Sequence, residues 1–288
     1  MADVSLHEER QSHSYLIEVL LGGLSSWDGE HYLLIAEQGY KHETNLAFFP
    51  LYPILIRAIS YTLLSPLLFM GVQMHSVMLI AGVTLTLIAF PMATYQLHKL
   101  TDLIYPHRPL LSHITVLLFI INPANIFMSA VYTECLFALF SFACIRYLIA
   151  GKTSRACLYL ALSCSTRSNG SILCIFIAMY YLEGIVTDFK LTTFIRKSLS
   201  CISQLLLGLS PIICYQVYTA HKLDYNYTGI LPYSYIQQKH WGIGLMNYYE
   251  VKQLPNFMLA LPVTTLSILA VWQEVMDVYR TEPGGWSQ

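Results

Sequence analysis

The segment Trp27–Pro53, WDGEHYLLIAEQGYKHETNLAFFPLYP, holds Asp28, Glu30, Glu37 and Glu43 in a chain in which only 11% of residues are charged. A carboxylate held in water at a membrane face can act as general base on a sugar hydroxyl, taking its proton as the oxygen attacks. Asp28 has the strongest claim to that role. The same aspartate, directly before Glu30-His31-Tyr32, also suits a helix N-cap, and spacing alone leaves both readings open. Trp27 could stack on a sugar face or sit in an interfacial aromatic belt. Glu30 and His31 are further candidates for touching substrate, although a solvated helix face accounts for them as well.

Two more ionisable residues stand out downstream. Glu134 opens an apolar run behind Tyr132, where it is either a site residue or an acid placed at a helix terminus. Arg167 sits at the centre of Ala156–Val186, and a cation at a membrane surface can hold a phosphate; snorkelling of the side chain to the interface is the plain alternative. His240-Trp241 could line a lipid or sugar groove, or serve as an interfacial anchor. No DxD, HExxH or EF-hand pattern occurs, so no metal site is expected, and G-x-S-x-G is absent.

The elements that must position these residues are membrane elements. Hydrophobic residues make up 55% of the 288, mean hydropathy is +0.51, and ordinary soluble domains carry about 25% charged residues. The surplus apolar surface needs lipid to face. A net charge of −1 gives no reason to expect a nucleic-acid partner. The seven cysteines lie mostly in apolar runs without metal-ligand spacing and read as small buried hydrophobes.

Tyr15–Leu24 is too short to span and reads as an interfacial helix. Asp28–Gln38 reads as a second short helix stopped by Gly39. Apolar segments then approach membrane length at Leu51–Val72, His75–Leu97, Leu110–Asn122, Val131–Ala150, Ala156–Val186, Ser198–Thr219 and Asn256–Trp272. Lys99 with Arg108, Lys152 with Arg155, Lys190 with Arg196 and Lys197, and Arg280 mark cytoplasmic connections. That charge pattern requires two adjustments. Leu51–Val72 must not cross fully, which Arg57 and Pro50, Pro53 and Pro66 favour. Ala156–Val186 must be two arms meeting at a turn around Arg167, because an arginine at the centre of one span would be costly.

The expected organisation is all-α and polytopic. It comprises a polar segment at 1–14, a luminal loop with juxtamembrane helices at 15–53, a multi-span bundle at 54–273 and a tail at 274–288. The loop at Asp28, the turn Asn122–Glu134, the turn at Arg167 and the loop Ala220–Pro255 then share one face. Asn226-Tyr227-Thr228 in the last is a glycosylation sequon, and Asn169-Gly170-Ser171 matches the same pattern.

Four runs carry a resemblance to a known family: LLGGLSSWDGEHYLLIAEQGYKHETNLAFFPLYP, NPANIFMSAVYTECLFALFSF, SCSTRSNGSI and HWGIGLMNYYEVKQLPNFMLALPV. In this order, over about Tyr15 to Trp272, the chain resembles the GPI mannosyltransferase 2 family. The resemblance implies a membrane glycosyltransferase of the GT-C class in the endoplasmic reticulum, a multi-pass protein. It would add an α-1,6-linked mannose, the second of the glycosylphosphatidylinositol (GPI) anchor. The implied donor is dolichyl-phosphate mannose and the acceptor is the GPI precursor lipid, with no cofactor, no metal, and room for a small membrane partner subunit.

Trp27 and Asp28 correspond to the family's luminal Trp-Asp pair, and the turn ending at Glu134 to a second important luminal segment. Arg167 and Asn169 fall in the family's TRSNG run; the phosphate role of Arg167 is inferred from its charge. Family members also carry a span before the Trp-Asp loop and helices beyond Trp272, so the chain is expected to be truncated at both ends. A catalytically inactive form acting as a membrane assembly partner is the alternative. A transporter is less favoured, because the ionisable groups gather at one face and no internal repeat is found.

Overall fold

A computed structural model describes residues 15–224, 230–244 and 246–281. The polar segment at 1–14, the sequon at Asn226 and residues 282–288 of the tail lie outside the described residues. Among the described residues all regular structure is helical. The chain divides into two compact units, one running to Tyr233 and the other from Ser234.

The first unit opens with α1 (Tyr15–Leu21) and α2 (Asp28–Gln38), the latter stopped by Gly39 at φ 76°. Next come α3 (Leu51–Tyr61) and α4 (Ser65–Phe69). Leu51–Val72 is thus two short helices rather than one crossing. Pro66 lies in the first turn of α4, where its missing N–H is no loss. The remaining helices are α5 (Met74–Ile104), α6 (Pro109–Ile120), α7 (Glu134–Ile149), α8 (Thr153–Thr166), α9 (Cys174–Thr187) and α10 (Leu191–Lys222). α5 packs on α7, α7 on α8, and α8 on α10. The second unit holds most of α11 (Pro232–Trp241) and all of α12 (Leu254–Thr281).

Among the described residues, four stretches are long and apolar enough to cross a membrane: Met74–Ile104, Ser168–Thr187, Leu191–Lys222 and Val251–Met276. The chain is a multi-pass membrane protein. Leu110–Asn122 and Val131–Ala150 instead yield helices of 12 and 16 residues, short of the roughly 17 to 25 that a lone span needs.

The second break falls at Arg167, whose backbone is extended (φ −151°, ψ 150°) between α8 and the 3-10 segment Ser168–Leu173. Gly170 lets that segment fold back on the end of α8. A Cβ there would lie 2.5 Å from the Cys164 nitrogen and the Ser163 carbonyl carbon. Around this joint, Cys144, Leu148, Ala156, Leu160, Cys164, Leu173, Ile177 and Tyr181 form a buried cluster. In lipid, close packing of this kind holds helices together, because lipid tails are no less apolar than leucine. Four cysteines are buried as small apolar groups, whereas Cys174 and Cys201 are half-buried and Cys214 is exposed.

Gly170→Ala should therefore cost more than about 3 kcal/mol, since backbone rather than a movable side chain blocks the new methyl. Gly23→Ala, with nothing within 4 Å of its new Cβ, should be close to neutral. Thermal unfolding of the two variants in detergent checks the contrast; equal midpoints would mean the joint is looser than described.

Candidate active site

The Trp27–Asp28 pair sits in a tight turn. The Gly29 N–H donates to the Ser26 carbonyl at 3.2 Å, and Trp27 has φ 57° and ψ −116°. Those angles belong to the first central position of a type II′ turn, usually a glycine. A tryptophan there is strained, and it is 71% exposed, so burial of its ring does not offset the strain. Trp27, not Asp28, takes the N-cap position of α2, and it makes no capping hydrogen bond. Asp28 is the first helical residue, which leaves its carboxylate out of the capping role that its spacing suggested.

The turn is held by the segment before α7, about a hundred residues away in sequence. The Val131 N–H donates to the Leu24 carbonyl at 2.8 Å, and the Tyr132 hydroxyl donates to the Ser26 carbonyl at 3.1 Å. Gly29 is buried against this segment; a Cβ on it would lie 3.3 Å from the Val131 carbonyl oxygen. These contacts carry Thr133 and Glu134 to the start of α2.

On α2, Asp28, His31 and Tyr32 share one face at spacings of three and four residues. The Tyr32 hydroxyl lies 3.4 Å from Thr133 Oγ1, and its ring meets Phe48 and Tyr52 edge-on. His31 stacks on Phe48 at 4.6 Å. Its Nδ1 lies 3.2 Å from Asn45 Oδ1. The loop carrying Asn45 and Phe48 is itself pinned by Tyr215 of α10, whose hydroxyl reaches the Leu46 and Phe48 carbonyls at 3.0 and 2.8 Å.

Arg167 completes the site. Its Nη1 forms an ion pair with Glu134 Oε1 and lies 3.3 Å from Thr133 Oγ1. Ser168 beside it hydrogen-bonds the Tyr233 hydroxyl at 3.3 Å. The structure thus places Trp27, Asp28, Glu30, His31, Glu134, Arg167 and Asn169 on segments that meet. Arg167 is engaged by a carboxylate rather than standing alone as a cation. Asn169 is exposed, and Glu30 is half-buried. His240 and Trp241 belong to the second unit, at the end of α11, where their rings meet edge-to-face at 5.8 Å. Among the described residues, no group of three or more His, Cys, Asp and Glu side chains could hold a metal ion.

Solvent reaches Asp28, but protein crowds its carboxylate. That loss of hydration, and next the like charge of Glu134, raise its carboxyl above the usual carboxylate range, with His31 and Arg167 opposing. Burial likewise pushes the Tyr32 phenol up, so Tyr32 stays neutral and can donate. For Arg167, burial works against the charge, but Glu134 more than restores it.

Sequence reasoning passed over Tyr32, Thr133, Tyr132 and Gly29. Tyr32 was within reach, because it lies one helical turn beyond Asp28 on the same face. The contacts of Tyr132 and Thr133 carry no local signal.

The family model described as Mannosyltransferase (PIG-V) matches residues 6–280. The chain is 34% identical over 295 residues to GPI alpha-1,6-mannosyltransferase 2 of Homo sapiens, covering 90% of this chain and 59% of the relative. It is 35% identical over 300 residues to the protein of the same name in Mus musculus, covering 92% and 60%. It is 30% identical over 301 residues to GPI mannosyltransferase 2 of Drosophila melanogaster, covering 88% and 65%. The chain thus spans 59 to 65% of the length of these curated relatives. No solved structure matches it.

Strain at Trp27 is measurable. Trp27→Gly should be more stable than Trp27→Ala by roughly 1 kcal/mol, because only glycine relaxes at this φ, and that gain exceeds the entropy glycine loses on folding. Unfolding midpoints in detergent decide the order, and an alanine variant at least as stable as the glycine variant would remove the strained turn from the account.

Proposed function

The chain belongs to the mannosyltransferase (PIG-V) family, and from that premise we propose that it transfers the second, α-1,6-linked mannose of the GPI anchor. The donor is dolichyl-phosphate mannose, the acceptor is the mannose-bearing anchor precursor, and the site opens to the lumen of the endoplasmic reticulum. The names of the relatives support this reaction. The observation that carries it is the meeting of three segments: the Glu134–Arg167 ion pair is brought to the start of the helix that Asp28 opens.

The donor sugar is β-linked to phosphate and the product is α-linked, so one in-line displacement suffices. The acceptor hydroxyl oxygen forms the new bond to the anomeric carbon as the carbon–oxygen bond to phosphate breaks. Asp28 accepts the hydroxyl proton, and the bond's electron pair leaves on dolichyl phosphate, whose charge Arg167 stabilises. With the leaving group's charge met by a guanidinium, the step calls for no metal ion. The exposed Trp27 ring offers a stacking face for a sugar, and Glu30, His31 and Asn169 provide hydrogen-bonding groups around it. A small membrane partner subunit is part of the proposal.

The Asp28→Asn variant keeps the side chain's shape and removes the base. It should lower mannosyl transfer in microsomes by about 100-fold or more at unchanged protein level, and retained transfer would remove Asp28 from the mechanism. Arg167→Ala should raise the KM for donor more than that for acceptor, and equal effects on both would count against its assignment to the phosphate. Complementation of cells lacking this transfer, scored by surface GPI-anchored protein, tests the whole reading. Rescue supports the enzyme, and stable expression without rescue favours a non-catalytic assembly partner.

A further inference from the structure

Arg167 is held in an unusual way for a buried-edge arginine. Arginine and carboxylate commonly pair through two parallel hydrogen bonds. Here one nitrogen, Nη1, serves both Glu134 Oε1 and Thr133 Oγ1. Among the described residues, Nε and Nη2 donate no hydrogen bond, and the side chain is 35% exposed. The carboxylate is also half-used, since Glu134 Oε2 is buried without a partner. A pair built only for stability would close both gaps, because a buried oxygen left without a donor loses its hydration with nothing in return.

We infer that Glu134 is a positioning residue: with Thr133 it clamps one nitrogen of Arg167 so that the remaining edge of the guanidinium is aimed outward to receive a phosphate. This rests on the transfer reading above and adds to it the residue that holds the cation ready. Thr133 suits the second point of the clamp. It is fully buried, its hydroxyl also meets Tyr32, and the hydrogen bonds from Val131 and Tyr132 to Leu24 and Ser26 set the segment in place. Because the same carboxylate raises the basicity of Asp28, it acts on both ends of the displacement. The groups facing Asp28 are Glu134 and Tyr132 from the segment at α7, His31 and Tyr32 from its own helix, and Arg167.

The test uses the full chain, purified in detergent, with a short-chain polyprenyl phosphate as the probe. Glu134→Gln keeps the shape and removes the charge. It should weaken binding on the order of tenfold, the difference between a charge-assisted and a neutral hold on the arginine. Glu134→Asp keeps the charge and should bind within about threefold of the parent. In the Arg167→Ala background, Glu134→Gln should cause no further loss, because Glu134 acts through that arginine. Unchanged or tighter binding by Glu134→Gln would overturn the inference, since a carboxylate that merely competes with phosphate for Arg167 gives that result. Additive losses, the sign of a general structural defect, would overturn it too.

Mannosyl transfer measured in parallel separates the two claims. If the parent transfers mannose, the acid limb of the Glu134→Gln profile should move to lower pH, because the like charge that raises the Asp28 carboxyl is gone; an unmoved limb contradicts the second half of the inference. If the parent transfers none, the transfer reading fails, and the binding arms still judge the clamp.

Discussion

The site depends on how two distant segments are tied together. The Leu24 and Ser26 carbonyls accept from Val131 and Tyr132, and two residues further on Glu134 meets Arg167. These bonds join the turn before α2, the entry to α7 and the break after α8. Remove the tie and each charged residue returns to its own segment. With it, two carboxylates and a guanidinium influence one another in a chain that has few charges to spare.

Membrane chemistry explains why such charges sit at joints. A polar group inside a span must be matched within protein or it is costly, so each of the three lies at a helix start or a helix break. Asp28 and Glu134 open α2 and α7, where helix dipoles favour acids. Arg167 occupies an extended residue between two helical arms. The price in local backbone energy falls at Trp27, and the Ser26–Gly29 turn and the hydrogen bonds from α7's approach hold that residue in place. Gly170 and Gly29 serve the same end by letting backbones approach closely where no side chain would fit.

Much of this was legible in residue order. Pro66 and Arg57 argued against a single crossing at Leu51–Val72, and Arg167 argued for a break in Ala156–Val186; both breaks are present. Gly39 ends α2 as its position suggested. Other features had no local cue. A type II′ turn is normally announced by glycine, and here tryptophan occupies the position, so Asp28 looked like the cap. The partners of Tyr132 and Tyr32 lie 106 and 101 residues away in sequence, and no helical or turn periodicity links them. The pairing of Arg167 with Glu134 is likewise a product of tertiary packing: charge predicted an anion for the arginine but not that the chain itself supplies one. Helix lengths at α6 and α7 also escaped, because apolar runs continue through turns that hydropathy does not resolve.

Compartment sidedness offers the most direct measurement. Cysteines would be placed singly at Ser26 and Asn169, both exposed, in a chain whose seven native cysteines are replaced. Sealed microsomes would then be probed with a membrane-impermeant maleimide before and after opening. Both positions should stay protected until the vesicles are opened and then label together. Labelling of the two from opposite sides of the bilayer would leave no shared water phase in which one sugar could meet both Asp28 and Arg167.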